Sequence, residues 1–300
     1  MTTQKNFLTV GTFDGVHAGH RFLFGRLETL AAKYRLRPLA LYFPLPPKTL
    51  LNPHPEMTVL STPEEKKELL KSTGTPATAL DFEECRQLTP EQFFTEILLK
   101  KYNMGGLLVG ADFAFGKDRL GSVDFLRAEC ARRDIAFEVT PFYHAETEKI
   151  SSSLIRKILA AGDMERSATL LGRPYELTGT VVKGFQLGRK LGFPTANLDT
   201  GIYKILPLGV FAVKVRVDNK YYDGFCNIGF RPTVNPINNN LPLVEVHIFN
   251  FNQDLYGRTI TIWFVQKLRD EMKFSGLDAL VARLKKDRTA AQEILKDFVL

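Results

Sequence analysis

The chain has 300 residues, of which 44% are hydrophobic and 24% charged; this excludes disorder and collagen-like repeats and allows two domains of ordinary size. Cys85, Cys130 and Cys226 lie far apart, no apolar run approaches the length of a membrane span, and the N-terminus lacks a signal-peptide core, so a reducing cytoplasm is expected, without a disulfide framework or zinc knuckle. The net charge of +7 is compatible with nucleic acid, a membrane surface or phosphate ligands.

In the first half, strand-like runs at 7–11, 38–43, 77–82, 106–110 and 135–140 alternate with helical segments, the pattern of βαβ units and a parallel sheet. Thr62-Pro63-Glu64-Glu65 and Thr89-Pro90-Glu91-Gln92 each place a capping threonine before a first-turn proline and a capping-box partner, so a helix is predicted to start at both. A further helix is predicted over 153–161, stopping at Gly162. After Leu171-Gly172-Arg173-Pro174 the pattern changes, which puts a domain boundary near residue 172. Phe211, Val213, Val215 and Val217 alternate with Ala212, Lys214 and Arg216, as in a half-buried strand, and Asp218-Asn219 reads as a hairpin turn. Runs at 244–251 and 259–265 alternate similarly around Asp254-Leu255-Tyr256-Gly257, so the second half reads as an antiparallel barrel. Leu277, Leu280, Val281 and Leu284 have helical spacing and predict a closing helix in 277–300.

Two constellations carry chemistry. GTFDGVHAGH (11–20) sits where the first strand ends and a helix begins, where free N–H groups and the helix dipole attract anions. His17 and His20 share one face of the first turn and can both donate to a phosphate, while Gly19 lets a nucleotide approach the backbone; attack on an α-phosphate fits this arrangement. ISSSLIR (150–156) places Ser152 and Ser153 at a helix start and Arg156 one turn in, a second anion cradle. VGADFAFGKDRLG (109–121) is not a Walker loop, but it puts Asp112 at the carboxyl end of a strand, where α/β proteins bind ligands. In the second half, GTVVKGFQLGRKLGFPTAN (179–197) opens from a strand into a glycine-rich basic loop: Gly188 allows close backbone approach, Lys183 supplies charge, and Thr195 and Asn197 offer oxygen ligands of the kind Mg²⁺ takes beside phosphates. Glu245 and His247 share a strand face with aromatic residues, and a carboxylate there can take a proton from a substrate hydroxyl. Taken singly, each feature also has a plainer explanation: histidines that cap or pack a helix, a serine N-cap beside a surface arginine, a solvated basic loop, an outward-facing strand glutamate.

Together these motifs are specific. GTFDGVHAGH, VGADFAFGKDRLG and ISSSLIR, in that order and spacing, resemble the adenylyltransferase half of the bacterial bifunctional riboflavin kinase/FAD synthetase family, part of the nucleotidylyltransferase superfamily. PTAN (194–197), NIGFRPT (227–233), EVHI (245–248), DLYG (254–257) and RDEMKF (269–274) resemble its riboflavin kinase domain. The resemblance implies an α/β Rossmann-like nucleotidylyltransferase domain over 1–172 and an antiparallel Greek-key β-barrel with a C-terminal helix over 173–300. It implies ATP-dependent phosphorylation of riboflavin to FMN, then adenylylation of FMN to FAD with release of pyrophosphate. It assigns Gly11, Phe13, His17, Gly19, His20, Ser152, Ser153 and Arg156 to ATP in the first domain, and Asp112 to the flavin. In the second it assigns Lys183, Gly188, Thr195 and Asn197 to ATP, the last two with Mg²⁺, Glu245 to catalytic-base duty, and Arg269 and Glu271 to the flavin. The partners it implies are the small molecules riboflavin, FMN and ATP; nucleic acid and membrane are not among them, and oligomeric state is left open.

The sequence departs from the family in places. Phe43-Pro44-Leu45-Pro46-Pro47 stands where many members carry Pro-His-Pro, with Pro53-His54-Pro55 coming later; Ala114 replaces a frequent arginine, and Asn250 a usual aspartate. The first alternative is therefore a riboflavin kinase with an impaired adenylyltransferase half. A basic nucleic-acid module is the second, opposed by the lack of an RNA-recognition or helix-turn-helix pattern. Residues 1–172 carry 22 basic and 21 acidic side chains and residues 173–300 carry 18 and 12, so the excess charge belongs to the kinase-like half, partly in its glycine loop.

Overall fold

In a computed structural model of the protein, residues 4–51, 59–145, 148–184, 186–201, 204–230 and 242–300 are described. Pro53-His54-Pro55, Phe185 and the Arg231-Pro232-Thr233 end of NIGFRPT lie outside the described residues. The chain divides into two compact units, Met1–Ser152 and Ser153–Leu300.

The first unit is built on a five-stranded parallel sheet in the order β3-β2-β1-β4-β5, with β1 Asn6–Gly11, β2 Arg37–Tyr42, β3 Ala77–Ala79, β4 Met104–Gly110 and β5 Ala136–Thr140. The central strands are apolar on both faces because helices cover both. On one face Phe7 and Leu108 pack against Leu27, Leu30 and Ala31 of α1 (Ala18–Tyr34), and Ala40 and Tyr42 pack with Phe24 and with Leu70 of α3 (Pro63–Lys71). On the other, Leu8, Val10, Leu107 and Val109 meet Phe94, Ile97 and Leu98 of a helix that begins as α5 (Pro90–Gln92) and continues in π-helical winding over Phe93–Lys101, and Leu126 of α6 (Val123–Arg132). Both threonine capping boxes form: Thr62 and Thr89 accept from the third-position N–H while Glu65 and Gln92 reach back to the cap. The predicted strand at 77–82 ends early because Asp81 accepts from the Glu83 N–H and starts the one-turn helix α4 (Phe82–Cys85). The short elements of the unit include α2 (Pro47–Leu51) after β2, a 3-10 turn at Lys117–Arg119 after β4, and the hairpin of β6 (His144–Ala145) with β7 (Glu148–Lys149) after β5.

The second unit starts with α7 (Ser152–Ala161), mostly within it, and α8 (Met164–Leu171), followed by a closed barrel ordered β10-β11-β12-β9-β8-β13. Its strands are β8 (Glu176–Val182), β9 (Ala196–Asp199), β10 (Gly209–Val217), β11 (Lys220–Gly229), β12 (Leu243–Ile248) and β13 (Thr259–Arg269), with the short α9 (Leu187–Lys190) between β8 and β9. The meander β10-β11-β12, with β13 returning beside β10, is a Greek key. Phe211, Val213, Val215, Cys226, Val246, Ile262 and Phe264 are buried in the barrel strands. The half-buried reading of β10 fails at its start, where Ala212 is buried as fully as Phe211. The reason is α10 (Leu277–Leu295): its Ala291 and Leu295 pack on Val210, Ala212 and Phe225, covering that flank. Lys214 secures the end of α10 by donating to the Leu295 carbonyl (3.1 Å) while paired with Asp223 (2.7 Å). The closing helix stops at Leu295, short of the predicted end, and β13 runs beyond its predicted end to Arg269.

Candidate active sites

In the first unit, β1 and β4 are neighbours whose following helices go to opposite faces, so a crevice opens outside their carboxyl ends, the usual ligand position in open α/β sheets. The loop after β1 fills this place with unusual backbone: Phe13, Gly15 and Val16 all have positive φ, the last a sparse conformation for a β-branched residue. Buried contacts hold it. The Asp14 carboxylate accepts from the N–H groups of Leu60 (3.0 Å) and Ser61 (3.2 Å), the Gly15 N–H donates to Ser61 Oγ (3.0 Å), and Ser152 Oγ donates to the Asp14 carbonyl (3.0 Å). Asp14 is thus a structural clamp to which no role was assigned from sequence; a carboxylate inside a glycine-containing anion loop was the only signal.

His17 is the N-cap residue of α1 and 4% exposed, and its ring stacks on that of His20 at 3.6 Å between centroids. Phe13 meets His20 edge-on, and Gly19 lies against the His17 ring. Gly11, Phe13, His17, Gly19, His20 and Ser152 are therefore drawn to one loop. Asp112 follows β4, largely exposed, and pairs with Lys149 (2.7 Å), whose ammonium lies over the Phe142 ring (3.5 Å). Ser153 is exposed and Arg156 half-buried on α7.

Burial holds the pKa of His20 well below its ordinary value of 6.5, with smaller contributions from His17 and Lys66. In the unfolded chain the same imidazole protonates near 6.5, so acidification favours unfolding. The contribution is intact above the unfolded value, begins to be lost as pH falls through it, and is gone below the folded one. Thermal unfolding between about pH 7 and about pH 5 should show Tm falling, and His20→Gln should reduce that fall.

In the second unit, register aligns the functional residues. Arg269 pairs with Val210, Val210 with Asn227, Asn227 with Glu245 and Glu245 with Asn197, a transverse row across β13, β10, β11, β12 and β9. Directly opposed residues share a sheet face, and this is the flank that α10 covers. A cavity of about 320 Å³ opens there, lined among others by Gly188, Thr195, Asn227, Glu245, Arg269 and Glu271. Gly188 is required where it stands, because a Cβ would run into the Phe193 carbonyl. Asn197 sits beside Gly184, next to Glu245 in the row; Lys183 is exposed after β8 and does not line the cavity. Glu271 lies over Gly229 and accepts from the Phe230 N–H (3.4 Å). Arg269 clamps Asp287 of α10 through Nε (3.0 Å) and Nη2 (2.8 Å), and Asp287, 2% exposed, also accepts from Arg283. His247, two residues from Glu245 and ringed by Phe193, Phe225 and Phe249, donates from Nδ1 to the Pro194 carbonyl (2.8 Å), holding the segment that carries Thr195. Burial lowers its pKa, against the hydrogen bond to Pro194, which raises it. Asn227 and Asp287 drew no role from sequence: the first is recognisable only once its pairing with Glu245 is known, and the second is one acidic residue among several on a helix.

Fold and sites together define a two-domain transferase that works on phosphate groups. A riboflavin kinase family model matches residues 171–295 and an FAD synthetase model residues 1–154. The bifunctional riboflavin kinase/FMN adenylyltransferase of Bacillus subtilis is 34% identical over 98% of this chain and 93% of its own, and that of Escherichia coli K12 is 35% identical over 95% and 91%. A crystal structure of a macrolide-efflux protein from Streptococcus pneumoniae matches 100% of this chain and 96% of its own with a TM-score of 0.85 at 31% identity. The chain belongs to the bifunctional riboflavin kinase/FMN adenylyltransferase family. No helix among the described residues is long and apolar enough to cross a membrane.

Proposed function

We propose that the chain makes FAD in two ATP-dependent steps and that the sites described above divide the work. The second unit phosphorylates riboflavin: Glu245 takes the proton of the 5′-hydroxyl as its oxygen attacks the γ-phosphorus of ATP and the bond to ADP breaks. The observation that carries this is the convergence of Gly188, Thr195, Glu245, Arg269 and Glu271 on one cavity. Thr195 and Asn197 offer a hydroxyl and an amide oxygen beside a carboxylate, a hard donor set that suits Mg²⁺ with phosphate oxygens completing its shell. Bound there, the ion would neutralise phosphate charge. Lys183 adds a positive charge at the mouth of the loop, and Arg269 and Glu271 face the flavin.

The first unit adenylylates FMN. An FMN phosphate oxygen attacks the α-phosphorus of ATP, the bond to the bridging oxygen breaks, and pyrophosphate leaves. His17 and His20 donate to the oxygens on which charge builds, and Gly11, Phe13 and Gly19 shape the loop around the nucleotide. Ser152, Ser153 and Arg156 hold the departing phosphates, and Asp112 meets the flavin. Neither step needs a covalent enzyme intermediate. We draw the functional boundary at Gly172, where left-handed backbone caps α8 (φ 72°), so that ISSSLIR stays with the adenylyltransferase half. The free, buried thiols of Cys85, Cys130 and Cys226 accord with a cytoplasmic location. An impaired adenylyltransferase half finds no support. Incubation with riboflavin and ATP·Mg²⁺ should give FMN first and then FAD with pyrophosphate; accumulation of FMN alone would restore that alternative.

A further inference from the structure

Helix α3 carries a lysine into the interior of the first unit. The segment entering it is tied to the loop after β1 by the Asp14 carboxylate, through the N–H groups of Leu60 and Ser61, and the Thr62 capping box sets its first turn. Lys66 follows in that turn and is fully buried. Its Nζ donates to the carbonyl oxygens of Phe43 (3.0 Å) and Pro44 (2.8 Å). Phe43 in turn donates its backbone N–H to the Gly11 carbonyl (3.2 Å), at the start of the loop that carries His17. A lysine is rarely fully buried and is costly there unless its charge is used.

We propose that Lys66 is a positioning residue for nucleotidyl transfer: its ammonium locks the turn at Phe43 and Pro44 against Gly11 and so holds the geometry of the His17–His20 loop. Asp14 grips this loop from one side and Lys66 fixes the strand end on the other, so α3 acts as a brace anchored at two points. The inference rests on the adenylyltransferase reading of the first unit. It goes beyond that reading in assigning a role to a residue that contacts no substrate.

The test uses the full chain, whose kinase activity serves as an internal control. Lys66→Met and Lys66→Arg are assayed with FMN and ATP for FAD, and with riboflavin and ATP for FMN, at temperatures below each variant's unfolding transition followed by circular dichroism. Lys66→Met should lose about 10²-fold in kcat for FAD formation, the scale of an ångström-sized misplacement, while KM for ATP and FMN changes far less. FMN formation should be unchanged, and Lys66→Arg should recover most of the lost kcat. Wild-type kcat in folded Lys66→Met would overturn the proposal, as would a loss that disappears once the variant is fully folded. Should Lys66→Met not fold, Lys66→Gln is read in the same way, and failure of both to fold would make Lys66 a folding residue only. Failure of the unmodified chain to convert FMN to FAD would instead overturn the reading of the site.

Discussion

Glu245→Gln is expected to abolish FMN formation from riboflavin, by roughly 10²–10⁴-fold, the range supplied by a positioned general base. FAD formation from supplied FMN should persist. The substitution keeps the size and shape of the side chain, and the row from Arg269 through Asn227 to Asn197 is set by backbone register, so it should survive. What disappears is the ability to accept the hydroxyl proton. The measurement is a separation of riboflavin, FMN and FAD over time, with each flavin supplied in turn. Loss of both activities would mean that the two sites depend on each other, or that Glu245 is not the base.

His17→Ala should do the reverse, lowering FAD formation by about 10²–10³-fold with FMN formation retained, as for the removal of one preorganised donor to developing charge. His17 is buried at the N-cap of α1, its ring stacked on His20 and against Gly19. Alanine therefore removes both a donor and the wall that orients its partner. If His17 acts mainly on the transition state, kcat falls and KM for ATP changes little; a large rise in KM with kcat preserved would assign it to ground-state binding. Pre-steady-state mixing with FMN and ATP separates the two cases.

The element types follow from local rules written into the chain. Thr62 and Thr89 start helices because each can accept from an N–H three residues on, and nothing distant is needed for that. The alternation of 211–217 with its valines makes a strand for the same local reason. The loop at 11–20 is legible because glycine, histidine and a strand-to-helix junction lie within ten residues. Errors occur where a neighbour from elsewhere in the chain intervenes. Ala212 reads as solvent-facing until α10 packs on it, and the strand predicted at 77–82 yields to Asp81 capping a helical turn.

Sequence by itself determined the two-part architecture, the helix starts, the loops rich in glycine and the family to which their motifs point, because these depend on contacts between residues close in the chain or on motif order along it. The excess of positive charge was likewise locatable from sequence alone, in the kinase-like half. Tertiary structure decided the rest. Strand register brings residues 197, 227, 245 and 269 into one row, β13 and α10 turn Arg269 and Asp287 towards each other, and β2, α3 and the first loop meet through Asp14 and Lys66. A one-residue shift in register would carry Glu245 to the opposite face of the sheet, and whether a lysine is solvated or buried depends on which surface its helix faces. Those outcomes are set by the packing of apolar faces over long sequence separations, which no local pattern encodes.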